Sequence, residues 1–136
     1  MILFKTFTGI VGIYHVLLGL SGLLLPHELF AKVAALILGV RSEMDTTFQL
    51  VAKFASVYVL VFGITTLILM MNPLKYRVLA LPVLVLFGVR LVNKTVFYNS
   101  IAEAFNVSPG QNIFALGCLV VFFFGILFTL PKKDVS

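Results

Sequence analysis

The feature that most constrains the fold of this chain is a set of four long apolar stretches. A helix needs about 20 mainly apolar residues to cross a bilayer, because it rises about 1.5 Å per residue across a hydrocarbon core about 30 Å thick. The stretches cover approximately residues 4–25, 48–71, 78–98 and 112–130. They are continuous and lack the apolar–polar alternation of a membrane β-strand. The sequence therefore predicts a single all-α domain, residues 1–136, with four transmembrane helices in an antiparallel bundle.

The composition also indicates a lipid environment. Hydrophobic residues make up 61% of the chain and charged residues 11%, against about 45–50% and about 25% in soluble domains. The net charge of +5 comes from basic residues in short clusters between apolar stretches. That distribution favours contact with anionic membrane lipids over nucleic-acid binding. The single cysteine, Cys118, excludes an internal disulfide.

Basic residues predict the orientation of the four helices. With four crossings, both termini and the second connection lie on one side of the membrane. That side carries Lys5, Lys75, Arg77, Lys132 and Lys133. Because lysine and arginine are enriched in cytoplasmic loops, we expect both termini in the cytoplasm and the protein in the inner (cytoplasmic) membrane.

The two external connections are predicted to form short helices. In the first, "PHELFAKVAALILGVRSEMDTT", apolar residues recur at helical spacing up to Gly39, which indicates an amphipathic helix on the outer membrane surface. The third connection, "SIAEAFNVSPGQN", has a smaller version of the same pattern before a Ser-Pro-Gly turn. We therefore expect two short helices at the external end of the bundle.

Polar side chains inside the apolar stretches are the candidate functional residues, because charge in hydrocarbon is costly. Arg90 lies in the outer half of the third helix, with Lys94 one turn further out and Asn93 between them. Lys53 enters the second helix from the same side, and His15 lies near mid-depth in the first. The sequence predicts a cluster of these cations in the external half, with His15 beneath it.

The deep position of Arg90 requires a partner, and two interpretations stay open. The acidic residues on its side of the membrane are Glu43, Asp45 and Glu103. In the first interpretation the cluster only makes interhelical hydrogen bonds, and Lys94 reaches the headgroups. In the second it is a pocket for an anionic or carbonyl-bearing amphiphile, such as a phospholipid or a quinone.

The sequence gives little support to metal binding, ion-coupled transport or catalysis by a known motif. The two histidines, His15 and His27, lie at different depths, and no metal site is expected. No carboxylate lies deep in any of the four stretches, which disfavours ion-coupled transport. Nucleophile-elbow, metalloprotease and P-loop motifs are absent. We predict no catalytic residue and no resident cofactor.

Small and aromatic residues mark the packing faces of the helices. Gly12, Gly19 and Gly22 form a stripe along the first helix that lets a neighbouring backbone approach closely. The fourth helix carries Phe122, Phe123 and Phe124, which suit either lipid or the flank of another membrane protein. Our leading hypothesis is a non-catalytic accessory or assembly subunit of a membrane complex that uses these faces. The alternative is a small lipid- or quinone-binding protein that uses the Arg90 cluster.

The order of these features resembles the DoxX-like superfamily of small four-helix bacterial membrane proteins. The resemblance is carried by "GIYHVLLGLSGLLLP", by an amphipathic stretch ending in "LGV", and by "LFGVRLVN". It implies a membrane helper more readily than a self-contained enzyme, and it marks Arg90, with Gly88 beside it, as the matching position. Gln49 and Lys53 stand where relatives often have an acidic residue.

Overall fold

The computed structural model describes residues 1–40 and 45–132, and these are helical apart from their connections. The six α-helices are α1 (Ile2–Leu24), α2 (His27–Leu38), α3 (Thr46–Met71), α4 (Ala80–Val96), α5 (Tyr98–Ala104) and α6 (Pro109–Thr129). A 3-10 turn, Arg77–Leu79, leads into α4. Four segments are long and apolar enough to cross a membrane: α1, α3, α4 with its 3-10 turn, and α6. Glu43 and Lys133, which the sequence analysis singled out, lie outside the described residues.

The four predicted stretches are confirmed as helices, with every end within three residues of its expected position. The early starts of α3 and α6 have a local cause. The Asp45 carboxylate accepts a hydrogen bond from the Phe48 amide at 2.7 Å, and Ser108 accepts one from the Gln111 amide at 3.4 Å. These caps occupy amide groups that have no partner within the helix, so each helix begins before its apolar stretch does.

Two shorter helices, α2 and α5, lie in the first and third connections. Gly39 ends α2 in the left-handed conformation, with φ of 73°. Glycine is the residue that takes this conformation without steric cost, which explains why the helix stops there.

The closest helix–helix packing in the described chain is between α1 and α3. A Cβ atom placed on Gly19 would lie 2.6 Å from the backbone nitrogen of Leu60, and one on Gly63 would lie 2.6 Å from that of Val16. No side chain fits there, so the two backbones are in direct contact. The glycine stripe does admit a neighbouring helix, but that neighbour is α3 of the same chain.

The contacts between α1 and α3 progress in opposite directions along the two helices. Gly9, near the start of α1, lies opposite Met70, and Gly22, near its end, lies opposite Ser56. The start of α1 therefore meets the end of α3. Consistent with this, the Lys5 ammonium group donates a hydrogen bond to the Met71 carbonyl at 3.4 Å.

The main apolar core lies towards this end of the molecule, where α4 and α6 complete it. Its buried members come from all four long helices: Phe4, Val11, Leu69, Ala80, Val83, Phe87 and Ile126. The opposite half, below α2, is less tightly filled and contains an apolar groove described below.

The three consecutive phenylalanines of α6 do not share one environment. Phe122 packs edge-on against Phe7 of α1, with ring centroids 6.1 Å apart, and Phe123 covers Gly88 of α4. Only Phe124 points outward, where it stacks on Phe128 at 5.6 Å. Because successive residues of a helix face different directions, Phe122 and Phe123 pack within the chain and Phe124 is the member of the three left to face lipid or a partner.

Candidate functional site

The half-buried arginine of α4, Arg90, contacts the buried histidine of α1, His15. The Arg90 Nη1 group lies 2.8 Å from His15 Nε2, and His15 Nδ1 lies 2.7 Å from the Val11 carbonyl oxygen. A carbonyl oxygen only accepts and a guanidinium group only donates. His15 therefore carries its proton on Nδ1, donates it to Val11, and accepts from Arg90 with Nε2. In this arrangement the imidazole is neutral and both of its nitrogens are occupied.

Aromatic rings fix the orientation of His15, which is only 3% exposed. Phe62 of α3 lies with its ring centroid 4.8 Å from that of the imidazole, and Phe87 of α4 lies at 6.2 Å. Tyr14 contacts the same ring at 5.0 Å. All three meet it steeply tilted or edge-on, an arrangement that aromatic pairs prefer. Three helices thus meet at His15 and direct its Nε2 towards Arg90.

The pair lies well inside the two helices. His15 is nine residues from the end of α1 at Leu24, which is about 14 Å at 1.5 Å per residue. Arg90 is six residues from the end of α4 at Val96, or about 9 Å, and helical side chains lean towards the N-terminus of their helix, further from that end. For helices that cross a hydrocarbon core about 30 Å thick, both groups lie too deep for easy access to headgroups.

No carboxylate neutralises Arg90 within residues 1–40 and 45–132. Of the candidate acids, Asp45 is exposed and caps α3 instead, and Glu103 is exposed on α5. The partner that the described chain supplies is a neutral imidazole. Of the candidate acids, neither Asp45 nor Glu103 pairs with Arg90.

The guanidinium group keeps hydrogen-bonding capacity beyond this contact. Nη1 donates to His15, while the edge formed by Nε and Nη2 has no acceptor among the described residues. That edge presents two parallel N–H groups in a fixed fork, the geometry that matches a carboxylate or a phosphate. The site therefore offers a ligand a positive charge and hydrogen-bond donors. It offers no acceptor from His15, because both ring nitrogens of His15 already make hydrogen bonds.

The structure separates the other predicted cations from this pair. Lys94 lies one turn further along α4 and is partly exposed, and Asn93 is exposed; neither makes a side-chain hydrogen bond with the described chain. Lys53 is exposed on α3, where it lines a shallow pocket of about 170 Å³ with His27 and Thr46. Of the five residues predicted to bind ligand, Arg90 and His15 are brought into direct contact.

An apolar groove lies between α1, α2 and α3 on the side nearer α2. Its volume is about 280 Å³. Its walls are Leu18, Phe30, Ala34, Val40, Phe48, Val51, Ala52, Ala55, Ser56 and Val59. The one polar member, Ser56, donates its hydroxyl proton to the Ala52 carbonyl at 2.7 Å, so the groove surface is apolar in effect. Its walls come from three helices, so no local pattern in the sequence predicts this groove.

Within the described ranges, 1–40 and 45–132, no three histidine, cysteine, aspartate or glutamate side chains lie close enough together to hold a metal ion.

Comparison with known proteins adds no assignment. No family model, no curated protein and no solved structure matches this chain.

Proposed function

We propose that this chain is a membrane protein that binds an amphiphile carrying an acceptor group, with Arg90 as the recognition residue. The observation that carries the proposal is the half-buried guanidinium group, which among the described residues has one neutral partner and a pair of N–H groups without an acceptor.

The free-energy cost of placing Arg90 inside a membrane helix favours a role in ligand binding over a purely structural role. Placing arginine at the centre of a membrane helix costs about 2.5–3.5 kcal/mol on insertion scales. A hydrogen bond to a charged group contributes about 1.5–3 kcal/mol. The bond to His15 therefore offsets the cost of Arg90 at best, and a neutral residue would serve packing better. A ligand acceptor bound to the Nε–Nη2 edge would add a further favourable contribution to the free energy, and this gives a reason for an arginine at position 90.

The proposed topology is an antiparallel four-helix bundle with both termini in the cytoplasm of a bacterium. Its support is that Lys5, at the start of α1, contacts the end of α3, next to the turn that carries Lys75 and Arg77. A basic cluster then lies at one end of the bundle, as expected for the cytoplasmic side. At the other end α2 exposes Leu29 and Leu36, at 48% and 83%, which suits a helix lying on the outer membrane surface.

The test is to identify the lipophilic compounds that co-purify with the protein. Wild type, Arg90→Leu and Lys94→Gln are purified in mild detergent, and bound compounds are extracted and quantified by mass spectrometry. We expect one acceptor-bearing amphiphile at near-stoichiometric amount in wild type and Lys94→Gln, and its loss from Arg90→Leu. Lys94→Gln is the matched control because it removes a cation one turn away on the same helix. Equal retention by Arg90→Leu would overturn the proposal.

A second function, as an accessory subunit of a membrane complex, is favoured by one observation on α6. Phe124 and Phe128 form a stacked pair that is 41% and 79% exposed, and Phe114 on the same helix is 74% exposed. The glycine face no longer supports this role, because α3 covers it. The resemblance to DoxX-like proteins agrees with a helper role.

The accessory role is tested with a photo-crosslinking residue at Phe128 in intact cells. A single crosslinked partner protein is expected, whereas the same residue at Leu81, exposed at 65% on α4, gives lipid adducts alone. Lipid adducts alone at both positions would rule out a partner on this face.

A further inference from the structure

The inner end of the apolar groove lies about one helical turn from His15 of α1 and Phe62 of α3. Leu18 follows His15 by one turn on α1, and Val59 precedes Phe62 by one turn on α3. The His15 and Phe62 rings are themselves in contact, with centroids 4.8 Å apart. Both walls of the groove therefore begin one helical turn from the pair, on the side of α2.

The groove is long enough to hold an extended hydrocarbon chain. From Val59 to Phe48 it follows α3 for eleven residues, or about 16 Å, and half of a hydrocarbon core is about 15 Å. Helix α2 covers it, since Phe30 reaches the Gly22 position of α1 and Ala34 is 1% exposed. The groove is thus an interhelical slot, and its volume of about 280 Å³ is at the small end for ligand pockets. This size suits one hydrocarbon chain rather than two.

The donors of Arg90 at the inner end of the groove determine which polar group a bound ligand should carry. The Arg90 charge has no counter-ion in the described residues, and the Nε–Nη2 edge is a fork for two acceptor oxygens. A carboxylate supplies both the negative charge and the two oxygens. A diacyl phospholipid brings two chains, which exceeds the width of the groove.

We propose that the site takes a single-chain carboxylate amphiphile, a free fatty acid, with its carboxylate on Arg90 and its chain in the groove beneath α2. This inference rests on the proposed function and narrows it from an acceptor-bearing amphiphile to one ligand class. His15 is then a positioning residue, because it occupies Nη1 and leaves the Nε–Nη2 edge for the ligand.

The experiment measures palmitate binding to the full chain in lipid nanodiscs, with hexadecanol and lysophosphatidylcholine as comparison ligands. Arg90→Gln removes the fork, and Ala52→Phe fills the groove. Arg90→Gln is expected to weaken palmitate binding at least about tenfold, the effect of losing one hydrogen bond to a charged group. Ala52→Phe is expected to weaken palmitate binding because the added ring occupies the groove. Hexadecanol, which has the chain without the charge, is expected to bind wild type at least about tenfold more weakly than palmitate does.

Two matched controls isolate the site. Lys94→Gln removes the neighbouring cation, and Val61→Phe adds the same ring on an exposed face of α3; both should bind palmitate as wild type does. Should Arg90→Gln not fold, Arg90→Lys keeps the charge without the fork and is expected to weaken palmitate binding as well.

The outcomes separate this inference from the proposed function. Equal binding of palmitate and hexadecanol, or unchanged palmitate binding in Arg90→Gln, would overturn the fatty-acid assignment. If lysophosphatidylcholine or another co-purified amphiphile then binds in an Arg90-dependent way, the proposed function stands alone. If no compound depends on Arg90, both are wrong.

Discussion

The interaction between Arg90 and His15 makes a quantitative prediction for a double-mutant cycle. Hydrogen bonds between membrane helices average about 0.6 kcal/mol and reach about 1.7 kcal/mol. The Arg90–His15 bond is short, at 2.8 Å, involves a charged donor, and is enclosed by aromatic rings. We therefore expect a coupling energy near the upper end, about 1.5 kcal/mol, which is about a tenfold change in the unfolding equilibrium.

The cycle compares His15→Phe, Arg90→Leu and the double variant with wild type. Phenylalanine keeps a ring in the aromatic surround, and leucine removes the buried charge. His15→Phe alone should be the most destabilising change, because it leaves the guanidinium group without its protein acceptor. Adding Arg90→Leu should then recover stability, since the unpaired charge is gone.

The free energy of unfolding is measured by denaturant titration in mixed micelles, and the coupling energy is the departure of the double variant from additivity. A coupling below about 0.5 kcal/mol would refute the reasoning, because it falls within the additivity expected of residues that do not interact.

Three further predictions concern the scaffold and use the same unfolding assay. Gly63→Ala should destabilise the protein by about 1–3 kcal/mol, because its Cβ atom would meet a backbone nitrogen of α1 at 2.6 Å. Gly117→Ala, which meets nothing within 4 Å, should be neutral or stabilising by up to about 1 kcal/mol, and equal effects would refute the close contact. Asp45→Ala should cost about 0.5–2 kcal/mol through loss of the α3 cap, and no change would show that the cap is not formed. Gly39→Ala should cost about 1–2 kcal/mol, because φ there is 73°, and a neutral result would exclude the left-handed end of α2.

The helices were predictable because lipid imposes a simple length rule. Each apolar stretch had to satisfy its own backbone hydrogen bonds, so its length alone indicated a helix. The errors at the ends have local causes, such as the Ser108 cap that starts α6 before its apolar residues. The stop of α2 at Gly39 was also visible in the sequence, since glycine readily takes the left-handed conformation.

The candidate site was predictable in its members but not in its contacts. The cost of burying charge singled out Arg90 and His15 one residue at a time. Their hydrogen bond joins positions 75 residues apart, and nothing local in the sequence indicates which faces of α1 and α4 meet. For the same reason the sequence did not show that Lys53 lies apart from Arg90, where it lines a separate surface pocket.

The most direct test of the central claim is an experimental structure of the protein in nanodiscs made from its native membrane lipids. We predict that Arg90 Nη1 donates to His15 Nε2, and that elongated density begins at the Arg90 Nε–Nη2 edge and continues into the groove under α2. A guanidinium group that turns away from His15 to a carboxylate of the chain, with no ligand density at that edge, would contradict the account.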